Sequence, residues 1–288
     1  MAPNIDLHVH STFSDGNFSP TELVVKYAGI GVRTLAITDH DTIAQLPEAF
    51  AAGKQHGMRI ISGAELSAVH EDLDLHMLIL DFDPGNVALG ERLAYFGGSR
   101  ENRSNEIMER IQQLGIMISH DEVRRAAKGI VGKPHIALAA LAEKDNQKRF
   151  ATDGVHHVDS FIKSYLAKGK PAYVAREKIS AEEAIDLAHQ AGGKAFWAHP
   201  KLSLGREFKS HLHRRVDQLY VLGLDGLEVF HSEHRQKWVC EALREVVRDY
   251  NLLESAGSDY HGPQVNPYLN PGEWKSFGLH PDFSWLEK

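Results

Sequence analysis

Two histidines near the start of the chain have the spacing of a metal-binding pair. His8 and His10 lie in the stretch Asp6-Leu7-His8-Val9-His10-Ser11, which follows Ile5 and has the character of a strand. Because side chains alternate across a strand, both imidazoles project from one face, about 6.5–7 Å apart along it. Their rings can therefore converge on one ion, although two such imidazoles could instead satisfy neighbouring backbone groups.

Further imidazoles and carboxylates stand at the edges of other short apolar runs. They are Asp39-His40-Asp41, Glu65, His76, His199-Pro200 and Asp259-Tyr260-His261. Such placement is expected of a polynuclear metal site at the mouth of a barrel. His76 precedes its run, so its strand is predicted to be antiparallel or differently offset, and taken alone His76 is a capping histidine. Asp15, in a Ser14–Asn17 turn, has the alternative role of a backbone acceptor.

The composition limits the number of domains, the kind of metal site and the membrane segments that the chain can have. The chain has 288 residues, of which 42% are hydrophobic, enough for one barrel or two domains. Its single cysteine, Cys240, excludes an intramolecular disulfide and a cysteine-type zinc site, so any metal must be held by histidines and carboxylates. No run reaches the roughly 18 apolar residues of a membrane span, and the first strand begins too early for a signal peptide. We therefore expect no membrane association and a cytoplasmic location.

The net charge of −7 argues at first against a polyanionic partner. Its distribution changes that interpretation, because residues 100–178 hold 15 Lys and Arg against 10 Asp and Glu, a local charge of +5. Bound divalent metals would neutralise part of the negative charge elsewhere.

Strand-like runs alternate with helical stretches along most of the chain. The runs are Ile5–His10, Thr34–Thr38, Arg59–Ile61, His76–Phe82, Lys194–Ala198, Gly226–Phe230 and Leu252–Ala256. This alternation favours a parallel barrel or an open α/β sheet. Between Arg100 and Lys170 the strand rhythm stops and amphipathic helices are predicted. We expect an α/β fold in which residues 1–99 and 171–288 form the metal-binding domain and residues 100–170 form a mainly helical insertion.

These motifs resemble those of a known enzyme family. His8-Val9-His10, Thr38-Asp39-His40-Asp41, Gly63-Ala64-Glu65, Ala198-His199-Pro200 and Ser258-Asp259-Tyr260-His261 are similar to the motifs of the PHP (polymerase and histidinol phosphatase) metallo-phosphoesterases. Within that superfamily, the turn at Asp15, His76 and the segments 132–137 and 165–170 resemble the RNase AM group. Those bacterial enzymes act as 3′,5′-nucleotide bisphosphate phosphatases and 5′→3′ exoribonucleases.

The resemblance implies a distorted (β/α)7 barrel that holds three metal ions beneath a small inserted domain. It places the ligands in three groups, which are His8, His10, Glu65 and Asp259; Glu65, His76 and His199; and Asp15, His40 and His261. The sequence departs from the family at Lys133, where many relatives have arginine, and at Phe230-His231-Ser232, which is variable.

The hypothesis that follows is hydrolysis of a phosphoester by a metal-bridging hydroxide. Mixed histidine and carboxylate ligands fit Mn²⁺, Fe²⁺ or Zn²⁺ better than Mg²⁺, and the order of affinities does not choose among the three; we take Mn²⁺ as the first choice. The catalytic candidates are Asp15, His40, Glu65, His199 and His231, the last either a proton donor or a simple strand-end residue. Candidates for binding substrate phosphates are Arg103, Lys133, His135, Lys168 and Lys170, which could instead form a solvated helical face.

Three functions remain open at this stage. The first is a nucleotide bisphosphate phosphatase or a 5′→3′ exoribonuclease on short RNA, with nucleotide or RNA as its partner and no obligate protein partner. The second is histidinol-phosphate phosphatase or another small-molecule phosphomonoesterase, which would need a compact pocket and no polyanion groove. The third is a metal-bound interaction module without catalysis, against which the short chain and the intact ligand set argue.

Overall fold

Nine strands form the sheet core in the part of the chain that the structure describes. The computed structural model describes residues 4–127, 131–175 and 177–287. In chain order, the strands in these ranges are β1 (Ile5–Val9), β2 (Thr34–Ile37), β3 (Arg59–Ile61), β4 (Gly63–His70), β5 (Leu73–Leu80), β6 (Ile179–Ser180), β7 (Lys194–Ala198), β8 (Gly226–His231) and β9 (Leu253–Gly257). The prediction of about seven strands therefore missed β4 and the two-residue β6.

Helices surround the strands and fill the middle of the chain. They are α1 (Pro20–Gly29), α2 (Leu46–His56), α3 (Val87–Gln113), α4 (His120–Ala127), α5 (Lys133–Ala142), α6 (Gln147–Asp153), α7 (Val158–Phe161), α8 (Ala181–Gln190), α9 (Pro200–Leu204), α10 (Phe208–Val221) and α11 (Lys237–Tyr250). A π-helical turn, Ile162–Leu166, continues α7. Helix α1 begins with a reciprocal capping box formed by Ser19 and Glu22.

The strands are divided between two sheets. β1, β2 and β3 form a parallel sheet, and the second sheet has the order β6-β4-β5-β7-β8-β9. β5 runs antiparallel to both β4 and β7, one of the two arrangements that the position of His76 indicated, while β7, β8 and β9 are parallel. Single bridges, Val9 to Tyr260 and His40 to Glu65, connect the two sheets. The α/β class is confirmed, but no closed barrel sheet is found among the described residues.

The buried apolar side chains of residues 107–174 form a cluster that is separate from the core around the sheets. One cluster fills the space between the six-stranded sheet and its helices, and Leu89 and Phe96 of α3 belong to it. A second cluster, which includes Ile107 and Ile111 of α3, lies wholly within residues 107–174. Helix α3 therefore runs continuously past the boundary expected at residue 100, and the division into 1–99, 100–170 and 171–288 stays a prediction.

The segment after β9 is irregular but contributes to the core. Trp274 donates from Nε1 to the carbonyl of Ile5, and Trp285 donates to that of Glu254. Both indoles are buried, so this segment covers the ends of the sheets. None of the helices described is long and apolar enough to cross a bilayer.

Candidate active site

Side chains from both sheets converge on one cluster at the strand ends. We call the following residues the histidine–carboxylate cluster: His8, His10, Asp15, His40, Glu65, His76, His199, Asp259 and His261. His8 lies on β1, Glu65 on β4 and His76 on β5, while the others lie at or just beyond strand ends. The structure thus brings together all nine residues that the family motifs indicated as ligands.

The first and last strands meet at this cluster. Asp259 donates its backbone N–H to the carbonyl of His8 at 2.8 Å, and His10 donates to the carbonyl of Tyr260 at 3.0 Å. Gly257 permits this approach, since a Cβ at that position would lie 2.2 Å from the Cβ of His8. Residues 250 positions apart in sequence therefore face each other.

Glu65 occupies the centre of the cluster. Its Oε1 lies 2.7 Å from Nδ1 of His76 and 3.0 Å from Nε2 of His199. Its Oε2 lies 2.9 Å from Nδ1 of His40 and 3.2 Å from Nε2 of His10. One carboxylate thereby contacts imidazoles on both sides, the position expected of a group that bridges two ions.

The carboxylates of Asp259 and Asp15 also contact histidines of the cluster. Oδ1 of Asp259 lies 3.4 Å from Nε2 of His8 and 3.2 Å from Nε2 of His10. Oδ1 of Asp15 lies 3.2 Å from Nε2 of His261, and Oδ2 of Asp15 lies 3.8 Å from Nε2 of His40.

The donor atoms fit divalent cations. Within the part of the chain that the structure describes, Nε2 of His8, Nε2 of His10 and Oε2 of Glu65 are buried without a hydrogen-bond partner, as are Nδ1 of His40 and Oδ1 of Asp15. Unpartnered buried acceptors that point at one another are costly unless a cation or proton lies between them. Groups of three or four of these residues place their donor atoms within 4.8 Å of one another, close enough to hold an ion.

Burial and the neighbouring carboxylates act in opposite directions on the pKa of these imidazoles. Burial opposes a charge on His10, but the carboxylates of Asp259 and Glu65 outweigh it and raise its pKa to about 10. Burial lowers the pKa of His40 to about 3, against the attraction of Glu65 and Asp15. A metal ion that binds His10 must therefore displace a proton that these carboxylates otherwise retain, whereas the imidazole of His40 is already neutral at pH 7.

His231 reaches the cluster from the end of β8. It is buried, and its Nε2 lies 3.5 Å from Oδ2 of Asp259. Its Nδ1 accepts the backbone N–H of Glu233 at 3.0 Å, so a neutral His231 carries its proton on Nε2. The geometry brings His231 beside the cluster, where one of its ring nitrogens lies within 4.8 Å of ligand atoms of His8 and Asp259.

A cationic cavity of about 520 Å³ adjoins the cluster. Its lining includes Asp15, His76 and His199 from the cluster and five basic residues, namely Arg100, Arg103, Lys133, Lys168 and Lys178. Burial, together with the charges of Arg103 and Lys178, lowers the pKa of Lys133 to about 8. The cavity can accommodate phosphate groups of a substrate whose reacting phosphorus lies at the cluster.

Two of the predicted substrate-binding residues lie elsewhere. His135 is buried, and its Nδ1 accepts the backbone N–H of Gly132 at 3.1 Å, so its ring caps α5. Lys170 is exposed, and neither residue is among those lining the described cavity. The capping role of His135 follows from its position at the third residue of the helix, directly after Pro134.

Sequence reasoning missed several residues around the site. Arg100 lies one helical turn before Arg103 on α3, and its guanidinium is 3.4 Å from Asp15 and 3.3 Å from Asp41. Lys178 and Glu228 were also overlooked. The i, i+3 spacing of the two arginines was a visible signal, because both lie on one face of a helix.

Comparisons with known proteins agree with this site. The PHP domain family model matches residues 6–195. A 5′-3′ exoribonuclease of Haemophilus influenzae is 34% identical over 266 residues, 91% of this chain and 92% of that protein. A 3′,5′-nucleoside bisphosphate phosphatase of Chromobacterium violaceum is 30% identical, with 90% of this chain and 88% of that protein covered.

A solved structure supports the same assignment. The crystal structure of a metal-dependent phosphoesterase from Bifidobacterium adolescentis superimposes with a TM-score of 0.83 at 30% identity, covering 98% of this chain and 94% of that one. Because the family model matches, the similar proteins are enzymes that hydrolyse phosphoesters and the fold is shared, the chain belongs to the PHP domain family and is a hydrolase.

Proposed function

We propose that this protein is a metal-dependent phosphoesterase that hydrolyses 3′,5′-nucleoside bisphosphates, short 5′-phosphorylated RNA, or both. The observation that carries the proposal is the cationic cavity directly beside the histidine–carboxylate cluster. Three divalent ions, with Mn²⁺ as the first choice, would be held in three groups: His8, His10, Glu65 and Asp259; Glu65, His76 and His199; and Asp15, His40 and His261. The short distances from Glu65 to His10, His76 and His199 support its place in the first two groups.

The ions and the protein would contribute different parts of the chemistry. Bound divalent ions lower the pKa of water and neutralise charge on phosphoryl oxygens. His231, with its proton on Nε2 beside Asp259, is positioned to donate that proton to the departing oxygen. Asp15 is held at the cluster by the guanidinium of Arg100.

The basic residues of the cavity would recognise the part of the substrate that does not react. Arg103, Lys133 and Lys168 come from residues 100–170, which we propose to be the substrate-binding cap. Lys178 enters from outside that segment and also pairs with Asp74 at 2.6 Å. This number of cations favours a substrate with more than one phosphate over histidinol phosphate, which has only one.

A comparison of substrates tests the proposal. The purified protein is stripped with a chelator, single metals are added back, and rates are measured on 3′,5′-adenosine bisphosphate, a 5′-phosphorylated oligoribonucleotide and histidinol phosphate. We expect metal-dependent hydrolysis of the first two at rates above that of the third. Faster hydrolysis of histidinol phosphate would favour the small-molecule phosphatase, and no hydrolysis of any phosphoester would favour an interaction module.

A further inference from the structure

A buried glutamate behind the cluster contacts two of its histidines. Glu228 lies on β8 between β7 and β9, and its side chain is fully buried. Its Oε1 lies 2.9 Å from Nδ1 of His8, and its Oε2 accepts the backbone N–H of His199 at 2.7 Å. Both carboxylate oxygens are therefore engaged on the side of these residues that faces away from the converging donor atoms.

The first contact determines which nitrogen of His8 is free. An ionised carboxylate only accepts hydrogen bonds, so Nδ1 of a neutral His8 must carry the proton that points at Glu228. Nε2 then presents a lone pair, and it lies 3.4 Å from Oε1 of Glu65. A carboxylate that orients a metal-binding imidazole in this way raises its basicity and fixes its tautomer.

The second contact holds a turn that is otherwise strained. His199 has φ 31° and ψ 61°, a left-handed conformation that is unfavourable for a residue with a side chain. Pro200 follows immediately and begins α9, so the strand cannot continue. The hydrogen bond from His199 N–H to Glu228 fixes the turn that brings Nε2 of His199 to within 3.0 Å of Glu65.

We propose that Glu228 is a positioning residue that prepares His8 and His199 together for metal binding. The inference rests on the proposed function, because it assumes that the cluster binds divalent ions. Glutamine has the same shape but only one acceptor oxygen. Glu228→Gln must therefore either turn an amide N–H toward Nδ1 of His8 or leave the N–H of His199 without an acceptor.

The test measures metal binding and ring protonation in addition to activity. Zn²⁺ is used because it is diamagnetic, and its affinity is measured by calorimetry for the wild type, Glu228→Gln and Glu254→Gln. Glu254 is the matched control, since it is a buried glutamate on the adjacent strand that pairs with Arg244. We expect Glu228→Gln to weaken Zn²⁺ binding about 10- to 100-fold. Nitrogen NMR of the Zn²⁺-loaded protein should show a changed chemical shift of the His8 Nδ1–H, because its carboxylate acceptor has become an amide, while Glu254→Gln should change neither result.

The outcomes separate this inference from the proposed function. If the wild type binds no Zn²⁺ or Mn²⁺, both are overturned. If the wild type binds Zn²⁺ and Glu228→Gln binds it equally with an unchanged His8 spectrum, only the positioning role is overturned. Should Glu228→Gln not fold, Glu228→Asp replaces it, because a carboxylate one methylene shorter cannot bridge both partners; unchanged Zn²⁺ affinity in that variant would also overturn the role.

Discussion

Glu65 and His76 meet across the antiparallel strands β4 and β5, with Oε1 of the glutamate 2.7 Å from Nδ1 of the imidazole. They are not register partners, because Glu65 pairs with Leu78 and His76 pairs with Ser67. The contact is therefore diagonal and runs along the face of the sheet that carries the cluster. It leaves Oε2 of Glu65 near His10, so a single side chain connects histidines of both sheets.

The central position of Glu65 predicts a severe effect of its replacement. Glu65→Gln should lower kcat/KM by at least about 100-fold, since loss of a residue that merely orients a ligand already costs about 10- to 100-fold. Elemental analysis of the variant should show fewer bound ions than in the wild type. Full metal content with unchanged kinetics would remove Glu65 from the centre of the site.

His231 gives a prediction that depends on the leaving group. His231→Asn should lower kcat about 100-fold or more on a nucleoside bisphosphate, whose departing alkoxide needs a proton. The same change should have little effect on p-nitrophenyl phosphate, whose phenolate leaves without protonation. Steady-state rates on both substrates check this, and an equal fall on both would contradict a role as proton donor.

Lys133 predicts a pH dependence of substrate binding. Because its pKa is lowered to about 8, its ammonium is charged below that pH and neutral above it. KM for a bisphosphate should therefore rise as the pH increases from about 7 to about 9. Lys133→Arg should flatten this part of the profile, since a guanidinium keeps its charge throughout. Lys148→Ala, an exposed lysine of α6, serves as the control, and an unchanged profile in Lys133→Arg would exclude Lys133 as the cause.

Arg100 predicts an effect on stability. Its buried guanidinium lies between Asp15 and Asp41, and its loss leaves their carboxylates less compensated. Arg100→Met should lower the free energy of unfolding by about 3–5 kcal/mol. Arg92→Met breaks a partly exposed pair with Glu183 and should cost about 0–1 kcal/mol. Urea denaturation of both variants tests this, and equal losses would contradict the assigned role of Arg100.

Much of the site could be predicted from the sequence because the patterns that indicate it lie within short segments of the chain. Alternation predicted that His8 on β1 and His10 just after it share one face, and the position of His76 before its apolar run indicated an antiparallel or differently offset strand, of which β5 is the antiparallel case. Strand β4 was missed because Glu65 was interpreted as the end of a strand, whereas it lies near the start of one that continues to His70. A buried acid inside a strand is tolerated there because the cluster compensates its charge.

Other features depend on contacts between distant parts of the chain. Arg100 reaches Asp15 across 85 positions, and Glu228 reaches His8 across 220. An acid within the apolar run of β8 was the only local signal for Glu228, and it did not identify the partner. The two sheets of the described residues are likewise joined only by single bridges, and residue patterns do not encode how far such pairing extends.

The most direct test of the central claim is anomalous diffraction from crystals grown with Mn²⁺ and a non-hydrolysable nucleoside bisphosphate analogue. The account predicts manganese peaks enclosed by Glu65 and its neighbouring histidines, by His8, His10 and Asp259, and by Asp15, His40 and His261, with a phosphate of the analogue in the cationic cavity. Crystals of the Mn²⁺-treated protein that show no anomalous peak within the histidine–carboxylate cluster would contradict it.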